Sequence, residues 1–309
     1  LITELGTSAI IDEIQRCPRL TIAVKYAIDQ QPGRVHATFH QTGTATGRLS
    51  SSGPNLQNIP VRTDLGRQIR KAFVADPNHR LVSADYSQIE LRLLAHLSED
   101  EALITAFNEG QDIHAAVAAE VFGVSPETVT SEQRGHAKTI NFGIVYGVTA
   151  QGLARRIEGL DLDGAKKLIE DYRNRFTGID RFLGACIEQA QSKGYVTTML
   201  GRRREIEQIN SRNPQNRALG ERLAINSVVQ GSAADLIKQA MLRVHRRLEA
   251  EQPETRLLLQ IHDELVVETP EAKAQTIATL LKKEMERTMS LKVPLLVETG
   301  IGADWYSAK

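Results

Sequence analysis

The stretch LLLQIHDELVVE, residues 257–268, constrains the fold more than any other part of the chain. Its two apolar runs, Leu257–Ile261 and Leu265–Val267, have the composition of buried strands, and the short gap between them predicts a hairpin. The titratable residues His262, Asp263 and Glu264 lie between the runs. Because a charged group is costly to bury unless it is paired or binds a cation, this tip marks a candidate site.

Strand patterns lie near the two ends of the chain, and helical patterns fill the middle. Residues 34–42, 79–85 and 293–305 have the alternation or the apolar content of strands, in addition to the hairpin. Residues 101–193 have a helical pattern interrupted at glycines, residues 216–249 have another long one, and residues 271–289 have a shorter one. Residues 193–204 predict a short hairpin or turn, residues 30–33 predict a turn, and the pattern before Pro18 predicts a helix that this proline ends. This order predicts an α+β fold with a helical insertion.

Composition excludes several classes of protein. The 309 residues are 41% hydrophobic and 25% charged, which is ordinary for a globular protein. No run of about 18 apolar residues occurs, so we expect no membrane partner. The start, LITELGTSAI, lacks Met and the basic region of a signal peptide, so we expect a fragment or a processed product. The two cysteines, Cys17 and Cys186, predict no disulfide framework, which is typical of a reducing compartment.

The overall charge argues weakly against a protein that holds nucleic acid by bulk electrostatics, because the formal net charge is zero. Two basic clusters, residues 66–73 and 201–205, interrupt this balance. Each is more typical of a solvated surface than of a binding site.

Two aspartates stand at the tips of apolar strands. Asp85 ends one strand pattern and Asp263 lies in the hairpin, so the two carboxylates meet at one edge of a sheet if their strands are neighbours. Paired carboxylates there serve either general acid and base catalysis or the binding of hard divalent cations. The alternative is that each aspartate is a helix cap or a turn residue.

The helical pattern from Ser131 predicts a substrate-binding face. Arg134, Lys138, Phe142 and Tyr146 are spaced four apart, so they follow one face of a helix. Two cations one turn apart suit a polyphosphate, and the aromatic rings beyond them suit a base or a sugar. An ordinary amphipathic helix with a solvated start and a buried end is the alternative, and no P-loop motif occurs in the chain.

Further polar groups of a kind suited to nucleic acid lie in two other segments. Residues 44–60 are rich in Gly, Ser, Thr, Asn and Pro, which predicts a long loop without a regular element, and they include Arg48. Asn226 and Gln230 follow one face of a later helix. Such donors can contact acceptors that every base pair presents in the minor groove, but each amide alone is more typical of a structural role.

Six motifs in a fixed order resemble those of family A, or DNA polymerase I type, DNA polymerases. DYSQIELR (85–92), RGHAKTINFGIVYG (134–147) and QIHDELVVE (260–268) resemble the three polymerase signatures of that family. TGRLSSSGPNLQNIP (46–60), DIHAAVAAEVFG (112–123) and NSVVQGSAADLIK (226–238) resemble further family motifs. The resemblance extends from Gly33 to Lys309, and six ordered motifs are far more specific than any one of them.

The resemblance implies a right-hand polymerase fold, with an antiparallel palm sheet and a helical fingers insertion. The palm would comprise residues 34–100 and 210–309, and the fingers residues 101–209. Residues 1–33 match poorly and would be a thumb remnant or a graft. On this resemblance, we expect the chain to lack most of the thumb and any exonuclease domain.

The resemblance also implies template-directed addition of dNTPs to a primer 3′-OH, with release of pyrophosphate. Asp85 and Asp263, helped by the Tyr86 carbonyl, would hold two Mg²⁺ ions, for which Mn²⁺ is a substitute. Lys138 would protonate the leaving group. The partners would be primer–template DNA and dNTPs, and we expect a monomer in the bacterial cytosol or nucleoid.

The remaining roles are carried over by position in the motifs. Residues that would contact the dNTP are Gln88, Glu90 as a steric gate, His114, Arg134, Lys138, Phe142 and Tyr146. Residues that would contact the primer–template are Arg48, Arg222, Asn226, Gln230 and His262. The role of Glu264 stays open. A phage-type single-subunit RNA polymerase and a catalytically weak nucleic-acid-binding fragment are the alternative functions.

Overall fold

The computed structural model describes residues 36–59, 69–145, 147–157 and 159–309. Two compact units are present in these residues. Unit 1 takes the described residues up to Ile89 together with Gly231–Ser290 and Leu295–Lys309, and unit 2 takes Glu90–Gln230 and Leu291–Pro294. The segments predicted from the sequence divide instead at 100/101 and 209/210, and the assignment of palm and fingers to these parts stays a prediction.

Short strands and mostly longer helices alternate along the described chain. The strands are β1 (Thr38–His40), β2 (Ser50–Ser52), β3 (His79–Tyr86), β4 (Tyr195–Thr197), β5 (Arg203–Glu205), β6 (Arg256–Ile261), β7 (Glu264–Pro270) and β8 (Val297–Gly302). The helices are α1 (Ile89–Ser98), α2 (Glu101–Asn108), α3 (Ile113–Phe122), α4 (Ser131–Val145), α5 (Ala150–Ala154), α6 (Leu162–Arg175), α7 (Thr177–Lys193), α8 (Pro214–Glu251) and α9 (Ala274–Glu286). Among these helices, none is long and apolar enough to cross a lipid bilayer.

Unit 1 is built on a four-stranded antiparallel sheet with the order β6-β7-β3-β8. Strand β3 lies inside the sheet, and its Leu81–Ala84 segment is buried because both neighbouring strands and helix α9 cover it. The Tyr86 hydroxyl donates a hydrogen bond of 2.7 Å to the Met285 carbonyl, which fixes the end of β3 to α9. The α+β class predicted from the order of elements is confirmed.

A second apolar cluster in unit 1 orders the segment that precedes the sheet. Leu56 packs with Leu259, Ile261 and Trp305, all buried. The prediction that residues 44–60 contain no regular element is wrong, because β2 pairs with β1 and a 3₁₀ helix covers Leu56–Asn58. Pairing of β2 with β1 and apolar contacts from Leu56 stabilise a segment whose own composition favours a loop.

Unit 2 is mostly helical, and capping side chains and glycines bound several of its helices. Asp100 and Asp112 cap α2 and α3 by accepting hydrogen bonds from backbone amides in the first turn. Gly123, with φ of 63°, ends α3, and Gly194, with φ of 77°, ends α7. The hairpin predicted at 193–204 is present as β4 and β5.

Two further predictions differ from the structure at their bounds. The helix expected at 271–289 begins with a 3₁₀ turn, Glu271–Lys273, before α9. The final strand covers Val297–Gly302 only. The predicted helix before Pro18, the turn at 30–33 and the rest of residues 1–33 lie outside the described residues.

Candidate active site

The carboxylate pair predicted from the sequence lies at one edge of the unit 1 sheet. Strand β3 pairs with β7, and Asp85 lies directly opposite Glu264. The Tyr86 amide donates a 3.2 Å hydrogen bond to the Asp263 carbonyl, so the chain segments that carry Asp85 and Asp263 are adjacent. Strand β8 places Glu298 opposite Asp85 on its other side. Opposed residues share a face, so carboxylates from three strands meet there.

The hairpin tip is a two-residue turn that presents its polar side chains outward. His262 and Asp263 connect Ile261 to Glu264, which are paired in register. His262 has φ of 53°, a conformation that costs energy for a residue with a side chain. His262 is exposed and Asp263 is partly exposed. The apolar strands therefore hold the tip in a strained but fixed geometry.

Glu264 differs from both aspartates because it is buried and fully engaged. Its side chain is 2% exposed. One carboxylate oxygen, Oε1, accepts hydrogen bonds from Ser83 Oγ at 2.8 Å and Trp305 Nε1 at 3.1 Å. The other, Oε2, lies 2.7 Å from Lys309 Nζ. Three donors thus satisfy a buried charge, and this explains why Glu264 is tolerated in an apolar hairpin.

Lys309 connects the buried Glu264 carboxylate to the partly exposed Asp85 carboxylate. Its ammonium lies 3.3 Å from Asp85 Oδ2 as well as beside Glu264. Burial raises the pKa of the Asp85 carboxyl, Lys309 opposes that rise, and Glu264 and Glu298 add to it. Burial alone would lower the pKa of Lys309, but Glu264 and Asp85 outweigh it and the pKa is raised. The Lys309 ammonium is therefore held in its charged form.

A second cation, Arg70, lies close by and is buried. Arg70 is 3% exposed and its guanidinium lies 4.0 Å from the centre of the Trp305 ring. Burial lowers the pKa of Arg70, and the charges of Glu264 and Asp85 oppose that effect. The Nε and Nη1 atoms of Arg70 have no hydrogen-bond partner among the described protein atoms. Interaction with the neighbouring carboxylates and stacking on the indole therefore hold this cation in place.

These groups line a cleft of about 460 Å³. Its walls include Gln57, Arg70, Asp85, Asp263, Glu264 and Lys309, together with His262. Partial desolvation of the ring and the charge of Arg48 lower the pKa of His262. Arg48 and His262 are thus brought together beside the cleft, and a neutral imidazole is favoured there.

The donor atoms at this edge fit a hard divalent cation. Asp85, Asp263 and the Tyr86 backbone offer only oxygen, the ligand type that Mg²⁺ prefers. In the described part of the chain, no three His, Cys, Asp or Glu side chains form a metal-binding group by themselves. Two carboxylates are enough for Mg²⁺, because this ion retains several waters and commonly takes one or two protein carboxylates.

The predicted phosphate-binding residues lie in unit 2. Arg134 and Lys138 are exposed on helix α4, one turn apart. Arg134 Nε donates a 2.7 Å hydrogen bond to Asp112 Oδ2, and this pair joins the start of α4 to the start of α3. Sequence reasoning missed Asp112, whose capping pattern at α3 was the available signal.

His114 is held by a buried polar chain that sequence reasoning also missed. His114 as a whole is 4% exposed, and its Nδ1 lies 3.5 Å from the Asn141 amide nitrogen. Asn141 Oδ1 accepts a 3.1 Å hydrogen bond from the Tyr172 hydroxyl. Burial lowers the pKa of His114, Asp112 opposes the change, and Lys138 and Arg134 add to it. The chain fixes the ring orientation and favours its neutral form.

The other predicted residues divide by position. Gln88 is exposed with φ of 53° in the turn after β3, and Glu90 is partly exposed in the first turn of α1. Arg222 packs against Gly147, where a Cβ atom would lie 2.6 Å from Arg222 Cγ. Asn226 and Gln230 are partly buried on α8, and Asn226 Oδ1 has no partner among the described atoms. The Phe142 side chain and all of Tyr146 lie outside the described residues.

Comparison with known proteins identifies the family. The sequence model of DNA polymerase family A matches residues 14–307. DNA polymerase I of Chloroflexus aurantiacus is 50% identical over 279 residues, 90% of this chain and 29% of that protein. Thermostable DNA polymerase I of Thermus aquaticus is 48% identical over 307 residues, 97% of this chain and 36% of that protein.

A solved structure matches as well. It is the POL domain of Pol1 from M. smegmatis in complex with DNA primer–template and dNTP, with a TM-score of 0.86 and 43% identity. The match covers 97% of this chain and 52% of that one. The chain spans about a third of the length of the two curated relatives. With its motifs, its fold and these matches, the chain belongs to DNA polymerase family A.

Proposed function

We propose that this chain carries a polymerase activity that adds dNTPs to a primer 3′-OH under the direction of a template. The observation that supports this best is the meeting of Asp85 and Asp263 at one sheet edge, beside a cleft, in a member of family A. Family membership favours the DNA enzyme over the single-subunit RNA polymerase considered from the sequence. The similar proteins are bacterial, so we also propose the bacterial cytosol as its compartment.

The carboxylate edge would hold two Mg²⁺ ions, or Mn²⁺ in their place. Asp85, Asp263 and the Tyr86 carbonyl would supply the protein ligands. Bound there, the ions would lower the pKa of the primer 3′-OH and neutralise charge on the triphosphate. Glu264 would take no direct part, because its two oxygens already accept hydrogen bonds from three donors.

The exposed cations of α4 would bind the triphosphate. Lys138 would bind a phosphate and give its proton to the leaving pyrophosphate. Arg134 would exchange part of its contact with Asp112 for a phosphate, which is feasible because both side chains are about half exposed and the pair is accessible to solvent. His114, in its neutral form, would donate a hydrogen bond to phosphate from its small exposed edge.

The remaining assignments concern the sugar, the base and the duplex. Phe142, Tyr146, Glu90 and Gln88 would define the nucleotide pocket, with Glu90 opposing a 2′-hydroxyl. Arg48, His262, Arg222, Asn226 and Gln230 would contact the primer–template. The unpartnered Asn226 Oδ1 supports this for Asn226, because a buried acceptor without a donor is costly and a ligand could supply one. A monomeric state stays a prediction.

Primer extension by Asp263→Asn tests the proposal. The variant keeps the size of the side chain and removes its charge, so we expect extension in Mg²⁺ to fall by about a hundredfold or more, because a metal ion contributes several kcal/mol to such a transition state. Asp163→Asn is the matched control, since Asp163 is exposed in α6 and pairs only with a surface lysine in the described structure. Wild-type and control chains should extend a labelled primer with dNTPs and poorly with rNTPs at low salt.

Near-normal extension by Asp263→Asn would contradict the metal assignment. Binding of primer–template by the wild-type chain without any extension would instead support the alternative of a catalytically weak binding fragment.

A further inference from the structure

Lys309 occupies a position that the proposed reaction does not explain. Its ammonium lies 2.7 Å from Glu264 Oε2 and 3.3 Å from Asp85 Oδ2, and it lines the same cleft as both carboxylates. The two carboxylates differ in exposure, since Glu264 is 2% exposed and the Asp85 side chain is 37% exposed. Lys309 is thus anchored on its buried side and in contact with the cleft on its other side.

The anchor is specific. Ser83 and Trp305 occupy Oε1 of Glu264, which leaves Oε2 directed at Lys309. A carboxylate has about four lone-pair sites, and three of those of Glu264 are used by these donors. Glu264 is therefore a support for Lys309 and leaves little capacity to bind an ion.

The backbone also fixes Lys309 against the sheet. Trp305 and Ala308 are fully buried. A Cβ atom on Gly300 would lie 2.3 Å from the Ala308 carbonyl oxygen and 3.2 Å from the Lys309 amide. Only glycine in strand β8 allows this close approach, so the position of Lys309 follows from the fold and not from a chance surface contact.

We propose that Lys309 is a positioning residue that holds the Asp85 carboxylate before a divalent ion binds and competes with that ion for it. The inference rests on the proposed role of Asp85 as a metal ligand. A divalent ion and an ammonium group repel each other at contact distance, so the ion displaces Lys309 from Asp85 while Glu264 retains it. Lys309 thereby lowers occupancy of the edge by free ions and keeps Asp85 in place until substrate phosphates add further ligands.

Binding of Mn²⁺ to the chain without DNA or nucleotide tests the inference, and the electron paramagnetic resonance signal of free Mn²⁺ measures it without any turnover. Lys309→Met removes the competing cation, and we expect about two- to fivefold tighter binding, the effect of one partly exposed ion pair. Lys309→Arg keeps the charge and should bind Mn²⁺ as the wild type does. Unchanged or weaker binding by Lys309→Met would overturn the inference.

A matched control makes the same charge change elsewhere in unit 1. Lys273 pairs with Glu254 in an exposed ion pair, beyond the far end of β7, about 20 Å from the carboxylate edge at the usual rise of a strand. Lys273→Met should leave Mn²⁺ affinity unchanged. Tightening equal to that of Lys309→Met would show a general charge effect and would overturn the inference.

A second pair of variants keeps the test decisive if Lys309→Met does not fold. Glu264→Gln with Lys309→Met leaves no buried charge without a partner, and it should bind Mn²⁺ more tightly than Glu264→Gln alone; equal affinities would overturn the inference.

Asp85→Asn separates this inference from the proposed function. If Asp85→Asn does not weaken Mn²⁺ binding, the assignment of Asp85 as a metal ligand fails. If Asp85→Asn weakens Mn²⁺ binding but Lys309→Met does not strengthen it, only the proposed role of Lys309 is refuted.

Discussion

Replacing Glu264 with Gln tests whether the core of unit 1 depends on one buried negative charge. The wild-type carboxylate is 2% exposed and accepts from Ser83, Trp305 and Lys309. Glutamine has nearly the same shape but only one acceptor oxygen. Its amide nitrogen must then face either Lys309 or the Ser83 and Trp305 donors, so at least one donor loses its partner.

The contacts set the size of the effect. Removal of one partner from a fully buried ion pair costs about 3–5 kcal/mol. Lys309 is 36% exposed and keeps Asp85 as a second partner, so water and Asp85 stabilise it after the change. One lost hydrogen bond to a charged group costs about 1.5–3 kcal/mol. We therefore expect Glu264→Gln to lower the free energy of unfolding of unit 1 by about 2–4 kcal/mol.

Tryptophan fluorescence during urea unfolding measures this loss. The chain has a single tryptophan, and Trp305 is fully buried in unit 1 and donates to Glu264 itself, so its emission reports on this core. Ser83→Ala is the matched control because it removes one of the three donors and leaves the charge paired. We expect it to cost about 1 kcal/mol.

Two results would refute the reasoning. A Glu264→Gln protein whose unfolding free energy is within about 0.5 kcal/mol of wild type would behave like an ordinary surface variant. A Ser83→Ala protein that loses as much as Glu264→Gln would show that the hydroxyl, and not the charge, stabilises the core.

Two further predictions concern unit 2. In helix α7, Gly178→Ala should lower the stability of the protein in thermal unfolding by about 1–3 kcal/mol, because its Cβ would lie 2.7 Å from Asp100 Cα. Gly184→Ala in the same helix has open space around the new Cβ and should be neutral or stabilise by up to about 1 kcal/mol. Equal effects of the two substitutions would contradict this. Burial raises the pKa of the Cys186 thiol to about 12, so this thiol should react slowly with a thiol reagent at neutral pH in the native chain and rapidly in the unfolded chain. A Cys17→Ser background leaves Cys186 as the thiol that is measured. Fast labelling of the native chain would contradict the burial of Cys186.

The sheet elements that carry the carboxylates could be predicted because their signals are local. Strand β3 and the β6–β7 hairpin are short apolar runs that end at charged residues, and the two-residue turn between Ile261 and Glu264 leaves no room for another topology. The pairing of β3 with β7 joins distant parts of the chain, so the residue pattern alone could not predict it. The pattern showed only that Asp85 and Asp263 would meet if these two strands were neighbours. The family resemblance supplied the pairing.

The partners of Glu264 could not be predicted, because they come from distant parts of the chain. Ser83 lies 181 residues away in sequence, Trp305 41 and Lys309 45. No periodicity or motif connects such positions. Strand β2 could not be predicted for a different reason: its serines favour a loop by composition, but they pair with nearby β1 through backbone hydrogen bonds that any residue type can make.

Burial separates the roles of neighbouring carboxylates at the sheet edge. Glu264 and Asp85 are opposed on paired strands and share Lys309, yet one is enclosed by indole, hydroxyl and ammonium donors while the other opens into the cleft. A buried carboxylate needs fixed donors and is therefore structural, whereas a partly solvated one can exchange an ammonium ion for a metal ion at little cost. Because Glu298 adds a further negative charge beside Asp85, the cations Arg70 and Lys309 do not neutralise the whole edge. The excess negative charge at Asp85 and Asp263 faces the cleft, and it favours cation binding there and not at Glu264.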